Sequence, residues 1–395
     1  RHKPTNSAPK TQWWCHIKTK RVHRSNPPSP PEWGRPRGGE LRRAICSRQS
    51  SGKQTAQARV PSQQRPAPHG AKLNPSMSTP IVYIDGFAGT TGLRIKDQLS
   101  TRDDIKLSVL PYDDRRDPDK RRAAIAGADL TILCLPDDAA AESADWAQQE
   151  GTKIIDASTA HRVADDWAYG LPEMDPAQRQ KIASAQNVSN PGCYPTGVIL
   201  GIRPLVENDL LDKDSPITVH ALSGYSGGGK KLIAKWEGGQ KNLENLPFES
   251  PYALHNEHKH VPEMTEYSGL TRKPQFIPSV GPFITGMRLE IPLHKAVLPE
   301  NVTANDVWEV LDQRYANEQF IRVHPIENTL AYADPAFDPR AANDTNRLDI
   351  SVMPNPLGHI LLIAQLDNLG KGASGAAVQN MNLMLNLPED AGLKS

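Results

Sequence analysis

One cysteine stands at a Pro-Gly turn in Ser189-Asn190-Pro191-Gly192-Cys193-Tyr194-Pro195-Thr196-Gly197, where an apolar helical pattern (Val198, Ile199, Ile202, Leu205, Val206) begins. A thiol placed there faces unpaired backbone N–H groups and the positive end of the helix dipole. Both favour the thiolate, which is the nucleophilic form. A second dense stretch runs from His255 to Met264 and holds His258, His260 and Glu263. Histidine exchanges protons near neutral pH, as acyl transfer through a cysteine requires. Two histidines at i, i+2 also suit a metal, but no further ligand cluster supports one. A polar surface loop with incidental histidines is the plainer alternative.

A glycine-rich turn sets the second half of the chemistry. Asp85-Gly86-Phe87-Ala88-Gly89-Thr90-Thr91-Gly92 follows a β-branched run and opens a helical pattern. Glycines at such positions let the backbone turn tightly, approach a pyrophosphate and pack helix on strand, with the phosphate at the helix N-terminus. The spacing is G-x-x-G-x-x-G rather than the commoner G-x-G-x-x-G, and an ordinary tight turn is the alternative. Beyond the second strand, Asp113 and Asp114 are followed at once by Arg115 and Arg116. Arginine there accommodates a 2′-phosphate and favours NADP over NAD, and an exposed, charged helix start is the alternative. Three further loops carry candidates. Asp156 to Arg162 lies at the C-terminal end of a strand, where Arg162 can fork onto a carboxylate or phosphate. Ser223 to Lys231 is glycine-rich and fits a phosphate cradle or a mobile hairpin. Asp367 to Gly375 joins a strand to the last helix, and is either a cover for the nicotinamide or a helix start capped by Ser374.

These residues need elements to hold them. Strands at 81–84, 105–110, 130–135 and 153–156 alternate with helical stretches, including one from Asp137 to Gln149. That alternation predicts a parallel sheet with helices on both faces. After Cys193, a helix to about Asn208 is followed by longer strand-like runs at 217–222, 276–280, 286–292, 320–323, 349–354 and 359–366. Few helices separate them, which predicts an α+β part with a mostly antiparallel sheet. The expected division is a dinucleotide-binding domain at 77–192 and 367–395, and a catalytic and dimerisation domain at 193–366.

The formal net charge of +1 conceals two unlike parts. Residues 1–76 hold 16 Lys/Arg against Glu32 and Glu40, and carry 11 prolines. This arm lacks apolar periodicity and is expected to be disordered. It reads as sequence upstream of a natural start at Met77, as a transit peptide, or as a basic arm for nucleic acid. Residues 77–395 carry a charge of −13, which disfavours a nucleic-acid substrate. No apolar run reaches the ~18–20 residues that span a bilayer. Four cysteines, at 15, 46, 134 and 193, show no disulfide framework or zinc spacing. A reducing, cytoplasmic setting is the simpler expectation.

Together these motifs resemble the N-acetyl-gamma-glutamyl-phosphate reductase family, in its shorter second type. The resemblance rests on Gly86 to Gly92, Leu133 to Asp138, Asp156 to Arg162, Ser189 to Gly197, His258 to Met264 and Asp367 to Asn382, and covers residues 77–395. It implies a Rossmann-type dinucleotide-binding domain joined to an α+β catalytic and dimerisation domain of the semialdehyde dehydrogenase kind. It implies NADPH as cofactor, an acyl phosphate as substrate, a homodimer or homotetramer, and neither nucleic acid nor membrane as partner. Cys193 is then the nucleophile and His260 the acid/base, with His258 as fallback. The expected cofactor contacts are Gly86, Gly89, Thr90, Thr91, Gly92, Asn368, Gly370 and Lys371. Ser158, Arg162, Tyr225 and His258 are the expected substrate contacts. Two rivals remain: aspartate-semialdehyde dehydrogenase, whose cysteine motif lacks the preceding Pro-Gly, and a catalytically idle nucleotide-binding regulator.

Overall fold

The computed structural model describes residues 79–238, 248–327 and 337–395, all within the unit Leu73–Ser395. The expectation of a disordered arm at 1–76 lies outside the described residues. Six parallel strands form the first sheet: β1 (Ile81–Asp85), β2 (Lys106–Ser108), β3 (Leu130–Leu133), β4 (Lys153–Asp156), β5 (Ala168–Tyr169) and β6 (Asn187–Ser189), in the order β2-β1-β3-β4-β6-β5. Helices α1 (Thr90–Leu99), α2 (Pro118–Ala126), α3 (Asp137–Glu150) and α4 (Gln178–Ser184) accompany them. The order reverses between β1 and β3, which opens a crevice at their carboxyl ends. Local chemistry explains the helix limits. Asp117 caps α2 by accepting from Asp119 N and Lys120 N, with Pro118 at the first helical position. Gly151 ends α3 in a left-handed conformation, φ 72°.

The chain then enters α5 (Cys193–Glu207), whose first residue is the cysteine. α5 is apolar almost all round because it is buried against a second sheet. Gly197 allows the close approach: a Cβ there would stand 2.8 Å from Leu289 Cδ1. The second sheet contains β7 (Thr218–Gly224), β8 (Ser250–Pro251), β9 (Gln275–Gly281), β10 (Met287–Leu293), β11 (Ile321–Val323), β12 (Leu348–Pro354) and β13 (Ile360–Leu366). Their order is β11-β12-β13-β10-β7-β9-β8. Pairing is antiparallel except for β7 with β9 and β11 with β12. Among the described residues, α6 (Gly229–Glu237), α7 (Val261–Tyr267) and α8 (Ala304–Tyr315) lie between these strands.

A π-helical turn, Gly370–Ser374, leads into the last helix, α9 (Gly375–Met384). α9 returns to the first sheet, where Ala377, Val378 and Met381 join Val82, Ile84 and Ile132 in one apolar cluster. Ser374 does not cap this helix through its side chain; its Oγ donates to Leu369 O at 2.5 Å. The Ser223–Lys231 stretch is not a hairpin. It forms a 3₁₀ turn, Tyr225–Gly228, and the start of α6. Among the described residues, no helix is long and apolar enough to cross a membrane.

Candidate active site

A cavity of about 630 Å³ lies where the carboxyl ends of the parallel strands meet the start of α5. Its walls include Thr90 and Thr91 at the start of α1, Cys193, His258 and His260, and Asn368 after β13. The loop at Gly192 explains much of its geometry. A Cβ on Gly192 would stand 2.7 Å from Arg162 Nη1, 2.7 Å from Glu263 Oε1 and 2.8 Å from His260 Nε2. Three charged or polar side chains therefore converge on the backbone atom that precedes the cysteine, and only glycine leaves room.

Glu263 ties this loop together. Its Oε1 accepts from Arg162 Nη1 at 2.7 Å, and its Oε2 accepts from Gly192 N at 3.0 Å and from Tyr169 Oη at 2.7 Å. Arg162 in turn donates through Nε to Asn190 O at 3.0 Å. Glu263 and Arg162 are 1 % and 8 % exposed. A buried pair of this kind needs its remaining donors and acceptors satisfied, and here they are. Asn190 continues the network, donating to Ala373 O at 3.0 Å and accepting from Asn380 Nδ2 at 3.2 Å. The turn before the cysteine is thereby pinned to the π-turn and to the middle of α9.

Electrostatics correct one expectation. Burial pushes the Cys193 thiol up to about 11, although Arg162 and the Tyr194 backbone N–H pull it down. The helix start alone does not yield a thiolate here, because the half-buried thiol is also partly desolvated. Burial holds His260 well below its ordinary value, and Arg162, His258 and Lys259 push the same way. His258 is lowered to about 4 by burial, then by Lys259 and Arg162. The resting site is thus a neutral thiol near neutral imidazoles, beside one arginine. His260 Nδ1 is buried without a hydrogen-bond partner. Cys134, by contrast, directly follows β3 and is half-buried, and desolvation pushes its thiol up to about 12.

The expected contact residues separate into those that reach the cavity and those that do not. Thr90, Thr91, Arg162, His258 and Asn368 line it beside Cys193 and His260. Gly86 and Gly92 serve packing. Gly86 has φ +86°, and a Cβ on Gly92 would stand 2.8 Å from the Phe87 Cα. Gly89 closes the turn, donating to Gly86 O at 3.0 Å. Ser158 is turned into its own loop, bonding Asp156 through N at 2.8 Å and Oγ at 2.7 Å. Tyr225 stacks on Trp236 at 5.7 Å and donates to Glu237. Lys371 is also not brought to the cavity. It is fully buried, with Nζ 2.7 Å from Glu173 Oε1 and 2.8 Å from Gln379 Oε1. Gly370 lines a different cavity.

The fold and these motifs have relatives. Residues 88–183 match the semialdehyde dehydrogenase NAD binding domain, and residues 193–368 match the semialdehyde dehydrogenase dimerisation domain. N-acetyl-gamma-glutamyl-phosphate reductase 2 of Nostoc sp. is 47% identical over 322 residues, covering 80% of this chain and 100% of that protein. The chain belongs to the N-acetyl-gamma-glutamyl-phosphate reductase family. Another member, reductase 2 of Pseudomonas putida, is 46% identical over 310 residues, with 78% of this chain and 98% of that protein covered. Aspartate semialdehyde dehydrogenase II of Vibrio cholerae shares the fold with a TM-score of 0.62 at 17% identity, over 78% of this chain and 99% of that structure.

The site of this reductase family member also contains residues that the sequence did not single out. Glu263 was visible only as an acid three residues after His260; nothing local says that it crosses to Arg162 and Gly192. Tyr169 comes from the two-residue strand β5 and stacks on Tyr267 at 3.8 Å. Lys235 and Trp236 reach the cavity from α6, which the glycine-rich composition of 223–231 concealed. Gly372 rests against the nucleophile candidate: a Cβ there would stand 2.7 Å from Cys193 Cβ.

Proposed function

We infer that the protein reduces N-acetylglutamyl 5-phosphate to the corresponding semialdehyde, releasing phosphate, through a thioester on Cys193, as one step of arginine biosynthesis. One observation carries the choice of substrate. Among the described residues lining the cavity, Arg162, Lys235 and Lys259 are the lysines and arginines, and none is an aspartate or glutamate. An N-acetylated acyl phosphate is anionic at both ends and neutral at its amide. A free α-ammonium group, as in an aspartyl phosphate, would enter a cationic cavity with no carboxylate to meet it.

The residues also fit a dinucleotide. Thr90 Oγ1, at the start of α1, is buried without a partner, and Thr90 and Thr91 face the cavity. Thr90, Thr91 and Asn368 would hold it, with phosphate at the α1 N-terminus. When bound, the reduced nicotinamide supplies hydride. NADP is the proposed form, supported by Arg115, whose guanidinium lies 3.5 Å over the Tyr112 ring just beyond β2. A neighbouring structure, aspartate semialdehyde dehydrogenase with NADP from Candida albicans, has a TM-score of 0.55 at 16% identity.

Cys193 Sγ attacks the acyl carbon while His260, neutral at rest, takes the thiol proton. Arg162 stabilises the developing negative charge. Phosphate leaves and the thioester remains. His260 then returns its proton as the semialdehyde separates from sulfur. His258 is the fallback for this role. The division into a nucleotide-binding part (77–192 and 367–395) and a catalytic and dimerisation part (193–366), cytoplasmic location, and a homodimer or homotetramer complete the proposal. The test is phosphate-dependent NADP reduction with N-acetylglutamate 5-semialdehyde beside aspartate semialdehyde. Turnover with the first alone is expected. Turnover with the second would assign the sister activity, and NADPH binding without turnover would leave an idle binder. Replacing Cys193 with Ser should abolish turnover and leave NADPH binding intact; retained turnover would remove Cys193 as the nucleophile.

A further inference from the structure

α6 presents to the catalytic cavity a face that no step of the reaction uses. Leu232 and Trp236 line the cavity together with Val280 of β9. Residues at i and i+4 share one helix face, which is why both side chains arrive at the same wall. Trp236, Val280 and Tyr225 form one apolar cluster, with Leu232 packed against it. Tyr225 supports the indole, its ring nearly parallel at a centroid distance of 5.7 Å.

Trp236 is only 7 % exposed, yet its indole N–H donates to no group among the described residues. Glu237, the next residue, is engaged elsewhere: its Oε1 accepts from Tyr225 Oη at 3.0 Å. The tyrosine hydroxyls of the cavity are committed to each other, Tyr252 Oη donating to Tyr194 Oη at 3.2 Å. A largely buried indole N–H normally finds an acceptor, and leaving the bond unmade is unfavourable. The indole nitrogen is not sealed by protein, and the open space that Trp236 borders is the catalytic cavity. An indole N–H only donates, so the group it faces must accept. The Leu232 and Val280 side chains beside it offer no hydrogen bond, so they suit a small apolar end rather than a charge. An acceptor joined to a methyl, without charge, meets both conditions.

We propose that this corner is the subsite for the substrate's acetamido group. Trp236 Nε1–H donates to the acetyl carbonyl, and the methyl packs on Leu232 and Val280. The assignment rests on the reaction inferred above. Its test is phosphate-dependent NADP reduction by the full chain with N-acetylglutamate 5-semialdehyde and with glutarate semialdehyde, which keeps the carboxylate and the aldehyde but lacks the acetamido group. Trp236→Phe keeps an aromatic ring in place and removes the N–H. The preference for the acetylated substrate, read as the ratio of the two kcat/KM values, is expected to fall roughly ten-fold in that variant. Leu232→Ala tests the methyl seat separately: the N-propionyl homologue should gain in kcat/KM relative to the N-acetyl substrate. A preference unaltered by Trp236→Phe would mean that the acetamido group lies elsewhere. Should that variant not fold, as its melting temperature reports, an unaltered propionyl ratio in Leu232→Ala would mean the same. A KM for NADP raised by Trp236→Phe, with the preference retained, would put the indole against the dinucleotide. Each of these results overturns the proposal and leaves the reaction standing. No turnover of N-acetylglutamate 5-semialdehyde by the wild type would instead overturn the reaction, and the subsite with it.

Discussion

Gly192 is the residue on which the site depends most directly. Arg162 Nη1, Glu263 Oε1 and His260 Nε2 would all lie within 2.8 Å of a Cβ placed there. Gly192→Ala must push at least one of them aside, and a displacement of about 1 Å in reacting groups costs on the order of 100-fold in rate. The expected outcome is a kcat lowered by that order with an unchanged circular dichroism spectrum; near-normal kcat would show that the three groups need not be so close. Cys193 offers a second check. Because burial pushes its thiol up to about 11, alkylation by iodoacetamide in the substrate-free protein should accelerate steadily as pH rises from neutral towards that value. A rate already level at pH 7 would mean a thiolate at rest. At this scale the sequence was informative where chemistry is local: a Pro-Gly-Cys turn and a His-x-His-x-Pro-Glu run announce themselves. It was silent on Glu263 as the tie between Arg162, Tyr169 and Gly192, because those partners lie 101, 94 and 71 residues away in the chain.

The π-turn and its buried support form the most consequential element. Lys371 and Glu173 are both fully buried and pair at 2.7 Å, with Gln379 bonded to each. Breaking a buried pair by removing one member strands the other charge and costs about 3–5 kcal/mol. Lys371→Met should lower unfolding stability by that amount in denaturant titrations, and adding Glu173→Leu should restore much of it. A single variant as stable as the wild type would refute the buried pairing. The family resemblance placed Lys371 at the cofactor, in a loop joining strand to helix that reads as a cover for the nicotinamide. The π-turn instead carries its side chain inward, and periodicity cannot foretell a π-turn. The long strands were legible because their apolar patterns persist for seven residues, alternating in β10 and nearly continuous in β13. β5 and β8, with two residues each, leave no pattern to read.

At the scale of the whole molecule, buried histidines set the response to acid. His258 falls from 6.5 to about 4, and burial holds His260 well below its ordinary value too. Between those limits the unfolded chain binds protons that the folded chain refuses. The histidines' contribution to stability is therefore fully present above pH 6.5 and declines as the pH falls towards 4. Urea midpoints measured across that window should fall with acidification, and His258→Phe should flatten the slope; a slope unchanged by that variant would remove His258 from the acid response. The alternation of strands and helices revealed the parallel sheet, and the change of texture after Cys193 revealed the second one. The return of α9 to the first sheet is a long-range packing choice that no local pattern encodes.

A cysteine held as a thiol has a further consequence. Peroxide oxidises thiolates and largely spares thiols, so a low-pKa nucleophile is exposed to sulfenic and sulfinic acid formation throughout its life. With its thiol pushed up to about 11, Cys193 is guarded against that loss while the enzyme idles. In the reaction proposed above it is a thiolate only in the brief interval when His260 holds its proton, and that is when an acyl carbon, rather than an oxidant, occupies the cavity.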